Sequence, residues 1–337
     1  MKKIFSLLVI ATAGMAISAR SQEPLKLVQT IPLPGVKGRL DHMDVDVRGK
    51  RLFIAGLENG SIEVVDLQAG KRTRSIPGFK KPQGIFYVRQ LKKLFVASGD
   101  DGMLRIFLGD NFDLLDSIAL ESGPNRVAYD PHKSRLYVGY DGKDGGKDYG
   151  EVAVIDAKKD KRIGDVKVSA HPAEILADNA GKTVFVAIPT LSQIEVIDPK
   201  KLEVVATWKV KGERDGDMAL DDRTHRLFVG TRTPLMIVIN SASGTEVASL
   251  PTVQGMDGVY FDAAHKRIYV SGGRGFDVGS VWTYQQKDAD HYEFIGKVST
   301  RPGAGTSFWS PEFNRYYVAA PANDKEDAAI LVYEPQR

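Results

Sequence analysis

Seven times along this chain a basic or polar residue leads an apolar residue, an aromatic and an exit of small residues. The copies are Arg51-Leu52-Phe53-Ile54-Ala55, Lys93-Leu94-Phe95-Val96-Ala97, Arg135-Leu136-Tyr137-Val138-Gly139, Thr183-Val184-Phe185-Val186-Ala187, Arg226-Leu227-Phe228-Val229-Gly230, Arg267-Ile268-Tyr269-Val270-Ser271 and Arg315-Tyr316-Tyr317-Val318-Ala319. Their aromatics recur at intervals of 42, 42, 48, 43, 41 and 48 residues. That is the length of a four-stranded propeller blade, so seven copies predict an all-β, seven-bladed β-propeller of four-stranded antiparallel blades.

Apolar and β-branched residues alternate over short runs between Gly, Asp, Asn and Pro clusters, with no sustained helical period. In the third unit the strands are expected at Arg126 to Asp130, Arg135 to Tyr140, Glu151 to Asp156 and Lys161 to Val168. A second phrase marks each third strand: Ile62 to Asp66, Val152 to Asp156, Ile194 to Asp198 and Met236 to Asn240. Its closing Asp or Asn can accept backbone hydrogen bonds and start a turn. Asn59-Gly60 is expected to supply the φ > 0 residues of a tight hairpin. The repeated aromatics, on strands covered by neighbouring blades, are expected to be packing residues.

The seventh unit stops three strands in, after Ile330 to Tyr333, while Leu27 to Pro32 has the pattern of the outer strand Val247 to Pro251. Pairing this N-terminal strand into the last blade closes the ring and hides two sheet edges. The phrases Tyr137-Val138-Gly139 with Val154-Ile155-Asp156, and Phe228-Val229-Gly230 with Val238-Ile239-Asn240, resemble those of the YVTN-repeat, YncE-like β-propellers of bacteria over about residues 25 to 333. The resemblance implies seven blades, export, and no assigned reaction. The chain departs from the family phrase at Gly139-Tyr140, Gly230-Thr231 and Ser271-Gly272, so no ligand carries over.

Lys2 and Lys3, an apolar run from Ile4 to Ala13 and the small residues Ala16, Ser18 and Ala19 form a secretory signal peptide pattern. The expected organisation is a signal peptide at 1–20 and one propeller domain at 21–337, in the periplasm or secreted, with no membrane span in the mature chain. There is no Cys, hence neither a disulfide nor a lipidated cysteine. The formal net charge of +3 falls to +1 without Lys2 and Lys3. That near-neutral balance, without a clustered basic face, disfavours nucleic acid.

A propeller collects its variable residues at the mouth of the channel. Eleven residues before each aromatic stand His42, Gly84, Arg126, Glu174, Asp217, Gly258 and Thr306; one residue earlier stand Asp41, Gln83, Asn125, Ala173, Gly216, Asp257 and Gly305. Asp41, His42, Gln83, Asn125, Arg126, Glu174, Asp217, Asp257 and Thr306 are therefore the candidate ligand-binding residues, unequal polar groups around one axis. The loops Asp141 to Gly150, Gly272 to Gly279 and Pro321 to Asp327 are expected on the same face. His42, Asp41, Glu174, Asp217, Asp257 and the nearby His171 are the right types for a divalent cation. Arg126 is expected instead to neutralise Glu174 or Asp217 in a hydrated salt-bridge ring, so no metal and no cofactor are assigned. His132, His225 and His265 fall in repeated turns and read as structural, Trp208 and Trp282 as core. Trp309, beside Phe308, is a possible stacking surface in the channel.

No His-Glu-x-x-His, Gly-x-Ser-x-Gly, Gly-x-x-x-x-Gly-Lys or cysteine nucleophile is present. The leading expectation is an exported, non-catalytic, monomeric propeller that recognises a small polar ligand, a peptide or a periplasmic partner protein at the channel mouth. The alternative is a lactonase-like hydrolase or lyase with a funnel-bound cation. A third class, a subunit of a redox assembly, has no Cys-x-x-Cys-His haem phrase and would depend on a partner's centre or a bound quinone.

Overall fold

The computed structural model describes residues 23–141, 147–213 and 215–336. The signal peptide pattern at 1–20 lies outside them. Seven four-stranded antiparallel sheets follow one another along the chain. Each innermost strand touches the innermost strand of the next blade, and Ser307–Ser310 of blade 7 touches Met43–Asp46 of blade 1, closing the ring. In blade 3 the strands are Val127–Asp130, Arg135–Asp141, Gly150–Asp156 and Lys161–Val168, within a residue of expectation.

Burial explains the sequence pattern. Second and third strands are covered on both faces by neighbouring blades, so Arg51–Gly56 and Ser61–Asp66 are almost continuously buried. Outer strands have one wet face, and Glu203–Lys209 alternates exposed and half-buried residues along its length. The repeated aromatics Phe53, Phe95, Tyr137, Phe185, Phe228, Tyr269 and Tyr317 are all buried. They belong to apolar clusters between blades, such as the one that joins Ile330 and Val332 of blade 7 to Leu52 and Ile54 of blade 1.

The N-terminal strand Leu25–Leu33 pairs with Ala328–Pro335 as the fourth strand of blade 7, with Leu27 opposite Tyr333 and Ile31 opposite Ile330. The third-strand carboxylates start turns as expected: Asp66 accepts the Gln68 and Ala69 amides at 2.8 Å, and Asp198 those of Lys200 and Lys201. Asp130 and Asp262 serve the turns that hold His132 and His265 in the same way. The hairpin at Asn59-Gly60 differs from expectation. Only Gly60 has positive φ, and its amide donates to the Gly56 carbonyl across a four-residue turn, so Asn59 keeps an ordinary backbone and uses its side chain on Ser61.

Candidate ligand funnel

Along each innermost strand alternate side chains point into the channel. The register fixes which: the residue nine before each aromatic lies directly opposite it, as Asp44 does Phe53 and Tyr260 does Tyr269. Residues nine and eleven before the aromatic share the channel face. The residue between them packs between blades, which is why Met43, Ile85, Val127, Ile175, Met218 and Val259 are apolar and buried.

At one end of the channel a cavity of about 390 Å³ gathers Asp41, His42, Gln83, Asn125, Asp217 and Asp257. Three other candidates lie deeper or to the side. Arg126 and Glu174 line the next cavity down the channel, and Thr306 is buried, donating its hydroxyl to Asp257 at 2.8 Å. Gly84 and Gly258 leave room for neighbouring blades: a Cβ on Gly84 would meet the Asn125 carbonyl at 2.1 Å. His171 also reaches the funnel, while the Gly272 to Gly279 loop contributes Arg274. Residues 142–146 of the Asp141 to Gly150 loop lie outside the described residues. Lys147 in that loop pairs with Glu121 and Glu151.

The funnel floor is an interlocked set of charges. Arg126 Nε lies 2.8 Å from Glu174 Oε1, and its NH1 donates to His42 Nδ1 at 2.6 Å. His42 therefore carries its proton on Nε2, which faces Asp41 at 3.6 Å. Burial holds the His42 imidazole well below its ordinary value, and Arg126 adds to the effect, so it is neutral. Burial drives the Glu174 carboxyl well above the usual range, Arg126 opposing and Asp217 reinforcing. Asp217 is pushed up to about 6, first by burial and then by the Asp257 charge. Both Glu174 oxygens are buried, and burial favours the protonated carboxyl at Glu174 and Asp217 alike while Arg126 opposes it at both.

This corrects the expectation of a hydrated ring. Glu174 is 1% exposed, and its partner is the part-buried Arg126 guanidinium rather than water. Arg126 is the cation at the centre of the carboxylates, and among the described residues no three His, Asp or Glu side chains converge as metal ligands. Trp309 does not face the channel: it packs on Tyr269 between blades at 5.3 Å, while Phe308 lines the channel wall.

Above the floor the rim is basic and acidic together. Arg39 bridges Asp41 at 3.3 Å and Asp257 at 3.5 Å, and Arg274 reaches Asp257 at 3.3 Å. Arg232 completes the arc. Arg39, Arg232 and Thr190 were not singled out by the repeat offset, because they sit in loops whose length varies from blade to blade. Tyr260 and Asp44 could have been found by counting back nine residues instead of eleven.

No family model and no curated protein sequence matches the chain. Among solved structures, it is similar to a chain in a crystal structure of the mitotic checkpoint complex, with TM-score 0.77 and 13% identity, covering 100% of this chain and 99% of that one. It is also similar to the β-propeller domain of Myceliophteria thermophila Cps50 (Swd1), with TM-score 0.71 and 12% identity, covering 93% and 100%. The chain has the fold of a seven-bladed β-propeller. At these identities the likeness concerns the fold alone.

Proposed function

We propose that this chain is an exported, monomeric, non-catalytic propeller of the YVTN-repeat kind, and that its funnel recognises a small polar ligand. One observation carries the reading: unequal polar residues contributed by several blades converge on one cavity of about 390 Å³ instead of repeating around the ring. The lining suits a ligand that carries an acidic group and hydrogen-bond donors together. Arg39, Arg232 and Arg274 would take the anionic end, and Asp41, Asp217 and Asp257 the donors. Arg39 and Arg274 would each exchange a carboxylate of the protein for one of the ligand.

The cation-dependent hydrolase has less support. His42 Nδ1 already accepts from Arg126, and the carboxylates surround that guanidinium instead of leaving a vacant oxygen cage. The solved propeller similar over its whole length belongs to a protein assembly, so a protein partner is the second outcome to test.

A thermal-shift screen of amino acids, small dicarboxylates and short peptides, followed by calorimetry, tests the reading. Arg274→Ala, at an exposed rim position, is expected to leave the melting temperature unchanged and to weaken the identified ligand at least about tenfold, the scale of a lost charged hydrogen bond. Unchanged affinity in both Arg274→Ala and Arg39→Ala would place the ligand elsewhere. Export predicts that the protein recovered from the periplasm or medium begins near Arg20 to Gln22.

A further inference from the structure

Below Arg126 the channel changes character. Nine residues before the repeated aromatics, blades 2 to 7 carry Phe86, Ala128, Leu176, Ala219, Tyr260 and Phe308, and blade 1 alone carries a carboxylate, Asp44. Asp44 stands between two cavities of about 210 and 250 Å³, and Phe86, Tyr129 and Phe308 line both. The upper one reaches Arg126, Glu174 and Tyr260; the lower opens past Arg89 and Glu312. Asp44 Oδ2 accepts the Tyr87 amide at 2.6 Å. The formal charges acting on it are Arg126 above and Glu312 below, and it is ion-paired to neither.

No cation meets Asp44: Arg126 is paired with Glu174 at 2.8 Å, Arg89 and Glu312 at the opening are of opposite sign, and the donors on the Asp44 carboxylate are backbone amides. A carboxylate in an apolar box is costly unless a cation or several donors meet it. We propose that this lower channel is a second binding site, separate from the funnel, for a small alkylammonium cation, with Asp44 as counter-ion and Phe86, Tyr129 and Phe308 as its walls.

Aromatic rings attract an organic cation through their negative faces; a quaternary ammonium loses little hydration on entering such a space, and a primary ammonium, more strongly hydrated, depends more on the Asp44 carboxylate. A metal ion needs several oxygen ligands, and the walls around Asp44 are mostly carbon. A neutral apolar ligand would leave the carboxylate unpaired. Burial moves the Asp44 carboxyl up to about 7, the Tyr87 and Val45 amides opposing, so the empty site is partly protonated near neutrality. A bound cation draws the proton off, and binding therefore strengthens as pH rises. The other charged groups facing the chamber are Arg89, Arg126, Glu174 and Glu312; Arg126 stays charged beside Glu174, and Glu174 can only add negative charge in the same direction.

The test is calorimetric titration of the purified protein with choline and with Nα-acetyl-lysinamide, at constant ionic strength, with 3,3-dimethylbutanol as the neutral shape control. Saturable one-to-one binding is expected at pH 8, at least about tenfold weaker at pH 5 and at least about tenfold weaker in Asp44→Asn. Asp44→Asn should melt no lower than wild type, which separates lost binding from lost folding. The two amines report the two sources of such a group, a free molecule and a protein side chain, and the tighter binder names the source. The proposal is overturned if neither amine saturates up to about 50 mM, far above the range of desolvated cation–π sites. It is equally overturned if the neutral control binds as well as choline, or if Asp44→Asn keeps wild-type affinity.

Discussion

At the residue scale, the decisive feature is that one part-buried guanidinium pairs with a fully buried carboxyl, with a second carboxyl nearby. Glu174→Ala should cost about 2–4 kcal/mol, because it empties a buried position and leaves Arg126 Nε without its acceptor. Glu174→Gln should be close to neutral, since the amide oxygen can still accept from Arg126 and burial already disfavours the charged carboxyl. Chemical denaturation of both variants checks the contrast, and equal losses would mean that the Glu174 charge itself is essential. Asp44 adds a pH dependence with a fixed sign. Its folded value of about 7 lies above its ordinary 3.8, so its contribution is fully present below about pH 4 and is lost as pH rises through 7. Between those limits wild type should lose about 1–2 kcal/mol relative to Asp44→Asn, discounted for the water that enters the channel. The offsets of eleven and twelve residues were enough to place six candidates around the funnel. They could not show that Arg126 and Glu174 lie beneath it, because sequence gives the direction of a side chain and not the depth at which its partner meets it.

At the scale of the strand and turn, the repeat made the elements legible because each strand type has its own burial pattern. Strands covered on both faces read as continuous apolar runs, and outer strands alternate. Turn geometry was less legible. Three residues before the aromatic, Lys50, Lys92, Ser134, His225, Lys266 and Asn314 all have φ between 50° and 56°, and nothing in their chemistry announces a left-handed turn. In blade 4 the left-handed residue is Gly181, one position earlier. Backbone hydrogen bonds of the strands on either side impose the conformation, so unlike side chains adopt it. Lys266→Gly should relieve it, since a residue without Cβ pays no penalty at positive φ. The expected gain is about 0.5–1 kcal/mol, reduced by the extra freedom of glycine in the unfolded chain. The Lys266 side chain is exposed, and the Gln286 amide would still find the carbonyl at position 266. A midpoint that falls in urea would show that the turn is held by the lysine itself.

At the scale of the whole molecule, stability depends on a join between the two ends of the described chain. Leu25, Ile31 and Leu33 are fully buried in blade 7, and the Gln336 amide donates to the Pro24 carbonyl at 2.9 Å. The unequal repeat count made this legible: three strands at one end and one at the other fit only a closed ring. Deleting residues 23–33 removes three core side chains worth about 1.5–3 kcal/mol each and opens an edge on Ala328–Pro335. Set against a typical total of about 5–15 kcal/mol, the shortened chain should melt far lower or fail to fold. A circular permutant separates the strand's presence from its position. Opening the chain at Gly35 and joining Gln336 to Glu23 through a short Gly-containing turn makes the closing strand follow Ala328–Pro335 as a hairpin, as outer strands do in the other six blades. That permutant should match the denaturation midpoint of the uncut chain, because every pairing and buried side chain is kept. If it is as unstable as the deletion, closure depends on the strand's covalent link to blade 1 through residues 34–42, which carry Arg39 and Asp41 of the funnel, and ring closure and funnel would have to be treated as one cooperative unit.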